Sequence, residues 1–497
     1  MELAELKEER VSNELGLAIG GEVVKGDDGA YPVTNPARPS EVVLDAPAVS
    51  LDQLDTAVSA AKNALANWSG LSIEERSDLV RSAAKNASAR VDQDDLATLL
   101  TKEHGKVLWE AAFDTGTISA MADAFSPMAI DALSPRVLGD VGRGTEVEWV
   151  PQGVVAALLP FNWPVSIMAN KVLPALLAGN TVVVKAPPTC PGAVLAATAA
   201  LSEVLPPGTV NIVNGPDASI GANLVSHPDV DMVTFTGGVA TGRAVMTSAA
   251  QRTKPVVLEL GGNDAAIIAP DVEIDSTLAG AIFDAAFVTS GQVCMAIKRL
   301  YVHEDRLGEL LDAMVERISG EVVGDGLVEG VTMGPMHTAA GRDRVEEMID
   351  EAHTRGARTL RPGTIRDDDL EAGGYFVSPT LVVSPPSDSR IVVEEQFGPA
   401  LPILSYSSID GAVEAANAST FGLCASIWSR DADLAADVAR RLDAGTVFIN
   451  SHGMSAMDYR APMGGWKDSG FGLELGPEGM REFTRPRVIL SHQLPGS

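Results

Sequence analysis

Val154-Val155-Ala156-Ala157-Leu158-Leu159-Pro160-Phe161-Asn162 is an unbroken apolar run that stops at a polar turn. A strand with one wet face alternates apolar with polar residues. A short run that is apolar throughout reads as a strand buried on both faces. The same form recurs at residues 181–184, 210–213, 232–235 and 256–258, with helical stretches between them. Spacings of roughly 22–29 residues leave room for one crossover helix per strand, as a parallel sheet requires. The predicted fold class is therefore α/β. The residues just past each run are equally informative: Pro160-Phe161-Asn162, Lys185, Asn214-Gly215, Thr236-Gly237-Gly238 and Glu259. In an open α/β sheet, ligands bind at the carboxyl ends of the strands. No Gly-x-Gly-x-x-Gly is present here. Instead Phe235-Thr236-Gly237-Gly238-Val239-Ala240-Thr241-Gly242 opens a helix. Those glycines serve either as a plain turn or as a helix N-terminus offering free amides to a pyrophosphate.

The totals narrow the class. At 497 residues, two or three domains are expected, and 45% hydrophobic with 21% charged residues describes a globular chain. A net charge of -30 opposes nucleic acid and anionic membrane surfaces as partners. The 3 cysteines, Cys190, Cys294 and Cys424, form no CxxC pair, which favours a reducing compartment over a disulfide framework. The charged start Met1 to Arg10 lacks a signal-peptide core, and the apolar stretch 153–184 is broken by Asn162, Lys171 and Asn180. A cytoplasmic location is expected. The histidines (104, 227, 303, 337, 353, 452, 492) form no pair at ligand spacing, so no metal is expected.

Residues 1 to 30 read as a surface lead-in, Asn35-Pro36-Ala37 as a turn and Glu41-Val42-Val43-Leu44 as a strand. Helical signals dominate residues 50–130, with a Ser-x-x-Glu capping box at Ser72 to Glu75. The Met- and Phe-rich segment 121–128 reads as a helix that Pro127 ends or kinks. Thr145-Glu146-Val147-Glu148-Trp149-Val150 alternates, as a half-buried strand does, and Arg487-Val488-Ile489-Leu490 is a tail strand that could pair with it. A second α/β set lies downstream, with strands at 264–269, 299–303, 380–383, 402–405 and 445–449 and helices at 306–318 and 431–442. Residues 359–374 read as a surface loop. Cys190 and Cys424, in apolar surroundings, read as structural.

Later motifs join the strand ends. Glu259-Leu260-Gly261-Gly262-Asn263 is followed by Thr289-Ser290-Gly291-Gln292-Val293-Cys294, then Glu394-Glu395-Gln396-Phe397-Gly398-Pro399 and Pro462-Met463-Gly464-Gly465-Trp466-Lys467-Asp468-Ser469-Gly470. In this order and spacing the set closely resembles the NAD(P)-dependent aldehyde dehydrogenase superfamily, over nearly the whole chain. The resemblance implies a Rossmann-type dinucleotide-binding domain (1–130 and 151–260), a catalytic domain (261–465) and a small β oligomerisation arm (131–150 and 478–497). It also implies a homodimer or homotetramer, built through the hairpin and the tail.

Oxidising an aldehyde to an acid takes a nucleophile, an oxyanion donor and a base for the deacylating water. Cys294 fits the first role, since a thiolate adds to a carbonyl; a buried apolar cysteine is the plainer reading. Asn162, otherwise a turn residue, offers an amide to the oxyanion together with the backbone N–H of Cys294. Glu259, at a strand end, would sit at the lip of a desolvated cleft, and burial suits a carboxylate to general-base work. Lys171 matches a family lysine that supports the proton path or the field; a solvated helix lysine is the alternative. By resemblance the cofactor lies on Pro160, Phe161, Lys185, Pro188, Gly215, Gly237, Gly238, Gly242, Leu260, Glu395 and Phe397. Among these, Lys185 would touch the adenosine ribose, Gly237 and Gly238 the pyrophosphate, and Glu395 and Phe397 the nicotinamide riboside. In Lys185-Ala186-Pro187-Pro188, Pro188 stands where NAD-preferring relatives carry Glu, so the cofactor is NAD or NADP. Trp163, Val293, Met295 and Tyr459, with the loop 452–459, would line an apolar tunnel for a medium-sized aliphatic or aromatic aldehyde. Two rivals remain: a CoA-acylating relative, which generally lacks the base at Glu259, and a non-catalytic binding protein on the same fold.

Overall fold

The structure, a computed structural model, describes residues 15–140 and 143–491. The charged start, the last residues of the tail and His492 lie outside them. The five continuous apolar runs are strands of one sheet, ordered Gly470–Phe471, Val256–Glu259, Met232–Thr236, Val154–Leu158, Thr181–Lys185, Val210–Val213. All pair in parallel except Gly470–Phe471, which runs antiparallel beside Val256–Glu259. Val154–Leu158 is central: the chain adds two strands on one side of it, then crosses back to add Met232–Thr236 on the other. That reversal opens a crevice at the carboxyl ends, where Asn162 and Glu259 emerge.

Every residue of Val154–Leu158 and Thr181–Lys185 is buried, because helices cover both faces. Capping boxes at Ser50/Gln53 and Ser72/Glu75 start the helices Leu51–Ser69, which packs on the sheet, and Ile73–Gln93, which packs on the helices beside it. The second sheet, of seven strands, is ordered Arg358–Leu360, Thr380–Val383, Ala400–Tyr406, Ile297–His303, Asp264–Ile268, Cys424–Trp428, Thr446–Ile449. The hairpin Arg136–Asp140 and Arg143–Pro151 pairs with the tail strand Thr484–Leu490 of the same chain, with Val488 opposite Val147.

Several expectations change. Residues 15–30 are more than a lead-in, since Leu17–Ile19 is a buried strand in the first core. Pro127 does not end its helix, which runs Ile118–Leu133 with Phe125 and Ala129 buried on either side of it. Residues 359–374 are not simply a loop: Thr364–Ile365 pairs with Val322–Val323, and Asp369 in the short helix Asp367–Glu371 is buried beside Arg366. The strand Cys424–Trp428 and the helix Ala339–Thr354 were not anticipated. Among the described residues, no helix is long and apolar enough to cross a membrane.

Phe125 is 1% exposed and its ring meets Tyr459 edge-on, at 6.5 Å between centroids. Phe125→Ala is expected to cost about 3–5 kcal/mol. Denaturant unfolding checks this, and an unchanged midpoint would contradict the packing.

Candidate active site

The loop that leads into Cys294 is held in a costly backbone conformation. Thr289, Ser290 and Gly291 all have positive φ (53°, 54° and 70°), a region non-glycine residues avoid. Side chains enforce it. The Thr289 amide donates to Glu110 at 2.6 Å, the Ser290 hydroxyl donates to the Gly334 carbonyl at 2.8 Å, and Gln292 Oε1 accepts from the His337 amide at 3.0 Å. Asn162 Nδ2 donates to the Gln292 carbonyl at 3.0 Å, tying the end of the central strand to this loop. Cys294 emerges half-buried; burial pushes its thiol up to about 12, and Lys298 opposes that shift.

Glu259 closes its strand with 4% exposure. Among the described residues neither of its carboxylate oxygens has a partner at hydrogen-bond geometry. Burial, reinforced by the Glu474 carboxylate, raises its pKa to about 8; Lys171 and the Gly465 amide ease the shift. Lys171 is fully buried rather than solvated: its ammonium pairs with Glu474 and donates to the Thr234 hydroxyl at 2.9 Å. The other Glu474 oxygen accepts from Asn170 Nδ2 at 2.8 Å.

Asn162, Glu259, Cys294 and Glu474 line one cavity of about 120 Å³, together with Trp163, Val293, Met295 and Tyr459. Phe113, Met121, Met454, Met457 and Met463 complete its apolar wall. A second cavity, of about 460 Å³, shares Phe113, Trp163, Val293, Met295 and Met454 with it, so the tunnel widens into a vestibule bounded by Trp109, Phe283 and Trp428. The Lys106 ammonium lies 3.9 Å over the Trp163 ring and is neutralised by buried Asp114 at 3.0 Å, which fixes that wall.

The expected cofactor residues do not line the tunnel cavity; Lys185, Gly237 and Leu260 lie at neighbouring strand ends, Gly242 in a helix, and Glu395 and Phe397 in the loop before Ala400–Tyr406. Gly238 precedes the helix Val239–Ala250, which has no side-chain N-cap, and a Cβ at Gly238 would meet open space. Helix amides left free beside open space suit a pyrophosphate. Gly242 lets that helix sit on Leu260, where a Cβ would come within 2.4 Å of the leucine side chain, and the Leu260 amide donates to the Ser469 carbonyl at 2.8 Å. Lys185, pulled down to about 8 by burial against the opposing effect of Asp217, ends its strand. Gly215 lies beyond the adjacent strand, and the Pro188 carbonyl accepts from the Tyr31 hydroxyl at 2.8 Å. Phe161, next to Pro160 in the chain, meets Phe397 edge-on at 5.9 Å, and Phe397 has a positive φ of 49°. Glu395 accepts from the Gly262 amide at 3.1 Å. Among the described residues, no group of three or more His, Cys, Asp or Glu could hold a metal ion.

Glu474 and Lys298 are not picked out by reading the sequence. Glu474 has a signal, a lone acid between Leu473 and Leu475; Lys298, four residues past Cys294, has only its proximity.

A strained loop aimed at a buried, unpaired carboxylate across an apolar tunnel suits an enzyme that forms and then hydrolyses a covalent intermediate. Residues 23–489 match the model of the aldehyde dehydrogenase family. The chain belongs to that family and is an oxidoreductase acting on aldehydes. It is similar to geranial dehydrogenase of Castellaniella defragrans, 37% identical with 91% of this chain and 94% of the relative covered. Among solved structures, it matches betaine aldehyde dehydrogenase of Staphylococcus aureus in complex with NAD+ with a TM-score of 0.92 and 29% identity, over 100% of this chain and 99% of that one. An NADP-dependent enzyme of E. coli matches with a TM-score of 0.90 and 31% identity, over 97% and 98%.

A Cβ at Gly262 would approach the Cys294 carbonyl oxygen to 2.4 Å, backbone against backbone. Gly262→Ala is expected to cost about 1–3 kcal/mol and to slow alkylation of Cys294. Unfolding and iodoacetamide labelling read both, and a labelling rate equal to wild type would contradict the close approach.

Proposed function

We propose that the chain converts an aldehyde to a carboxylic acid through a Cys294 thioester that water hydrolyses, with NAD or NADP as cofactor. The observation that carries this is the shared cavity of Cys294, Asn162 and Glu259, with neither Glu259 oxygen partnered at hydrogen-bond geometry among the described residues. Cys294, as the thiolate that each turnover regenerates, adds its sulfur to the aldehyde carbon, and the carbonyl electron pair moves to oxygen. Asn162 Nδ2 and the Cys294 amide receive that oxyanion. A dinucleotide held at the adjoining strand ends would supply the hydride acceptor. Once hydride has left the carbon, the oxyanion collapses to a thioester on Cys294. Glu259, as carboxylate, then takes a proton from water while the water oxygen attacks the acyl carbon. The C–S bond breaks, and Cys294 leaves as thiolate. The Lys171–Glu474 pair behind Glu259 supports the field or the proton path.

The residues fit a dinucleotide. Lys185, Pro188 and Gly215 would hold the adenosine side, and Gly237 and Gly238, on a helix that Gly242 and Leu260 keep close, the pyrophosphate. Pro160, Phe161, Glu395 and Phe397 would hold the nicotinamide side. Pro188 presents no carboxylate to repel a 2′-phosphate. The CoA-acylating alternative is disfavoured because Glu259 is present and buried beside the nucleophile. A medium-sized aliphatic or aromatic aldehyde suits the methionine-lined tunnel, and the geranial relative has such a substrate in its name. The three-stranded arm, with Leu138 56% and Leu490 64% exposed, supports a homodimer or homotetramer.

Reduced cofactor formed from a panel of aldehydes with NAD and with NADP, without CoA, tests the reading; a signal that depends wholly on CoA would overturn it. Asn162→Ala is expected to lower kcat by about 10²–10³. Glu259 is a base only when deprotonated, and its pKa is raised to about 8. Deacylation-limited turnover should therefore climb about tenfold per pH unit below that value and level off above it. A flat kcat profile through that range would count against Glu259.

A further inference from the structure

Lys298 lies four residues past the nucleophile, in the strand Ile297–His303, and is 1% exposed. A lysine so buried is costly unless its charge is matched. Its ammonium turns back along the chain and donates to two carbonyls, Val293 at 2.5 Å and Cys294 at 3.2 Å. A third direction faces the Glu395 carboxylate at 3.5 Å. A neighbouring side chain reinforces this link, since Gln396 Nε2 donates to the Lys298 carbonyl at 3.2 Å and to the Ala400 carbonyl at 2.7 Å. From the other side Gly262 presses on the Cys294 carbonyl, so that carbonyl is packed between a backbone without a side chain and a cation.

We infer that Lys298 is a positioning residue: it clamps the backbone of Cys294 and places a fixed positive charge against the nucleophile and Glu395. This rests on the reading of Cys294 as nucleophile. Three acids face the thiol: Glu395, Glu259 and Asp264, each of which disfavours the thiolate. The largest influence in the opposite sense is Lys298. Without it the thiol would sit in an apolar pocket among carboxylates, the setting least able to form a thiolate. The same ammonium keeps Glu395 directed at the Gly262 amide, so the nucleophile loop and the proposed nicotinamide side share one buried ion pair. A plain space-filling role for Lys298 would need no charge at all.

The test is the rate at which iodoacetamide alkylates Cys294 in the full-length protein, without aldehyde or cofactor, from about pH 7 to about pH 10, with the site of labelling read by mass spectrometry. Lys298→Met keeps the length and removes the charge, and should slow alkylation about tenfold across this range. Glu395→Gln removes the counter-charge and should speed it several-fold. Opposite changes in the two variants support the inference. Equal rates in wild type and Lys298→Met, or changes of the same sign in both variants, overturn it. If Lys298→Met does not fold, Glu395→Gln decides alone: a rate no faster than wild type overturns the inference. Loss of turnover in step with wild-type Cys294 alkylation checks the underlying reading separately, since that reading fails only if the fully alkylated enzyme still turns over.

Discussion

The backbone of Gly262 lies against the carbonyl of Cys294, and the site depends on that approach. Gly261 and Gly262 link the last parallel strand of the first sheet, Val256–Glu259, to Asp264–Ile268 of the second. Cys294 opens directly into Ile297–His303, the parallel neighbour of Asp264–Ile268. Two sheets thus meet at a point where no side chain fits: a Cβ at Gly261 would strike the Glu395 carboxylate at 2.2 Å, and one at Gly262 the Cys294 oxygen at 2.4 Å. Glu259, at the end of one sheet, and Cys294, just before a strand of the other, are brought together by that contact. Burial then results from geometry, and the raised pKa of Glu259 results from burial.

Charge inside this junction is organised in pairs. Lys171 faces Glu474, Lys106 faces Asp114, and Lys298 faces Glu395, all with buried ammonium groups. Such pairs add little net stability, but breaking one leaves an uncompensated charge, so each holds its geometry firmly. Glu259 differs: among the described residues no partner reaches either of its carboxylate oxygens at hydrogen-bond geometry. An acid left unpaired in this way retains its proton near neutrality and releases it within the range where a base is useful.

Much of the fold and of the site is legible in the chain itself. Runs such as Val154 to Leu159 are apolar on both faces and so declare a covered parallel sheet, and the polar residues at their ends declare the ligand edge. Where reading fails, tertiary context has overridden local signal. Pro127 lies within a helix whose neighbours Phe125 and Ala129 are buried, and packing outweighs one lost hydrogen bond. The strand Cys424–Trp428 has Ser426 at its centre, a residue that looks solvated but is buried, where it serves the Trp428 indole N–H and the His452 ring. Leu17–Ile19 is too short to show a period. Glu474 enters the site from a segment far along the chain from Glu259, and no local spacing records such a meeting. Lys171 reads as a lysine of the proton path or as a solvated helix lysine, and its burial against Glu474 is not visible in its own segment.

The central claim is that Cys294 carries the acyl group until water, activated by Glu259, removes it. Intact-protein and peptide mass spectrometry of Glu259→Gln, quenched after mixing with an aldehyde and oxidised cofactor, tests it directly. The expected result is a stoichiometric adduct on the peptide containing Cys294, heavier by the aldehyde less two hydrogens, that persists while reduced cofactor stops at one equivalent. An unmodified Cys294, or an adduct on another residue, would contradict it.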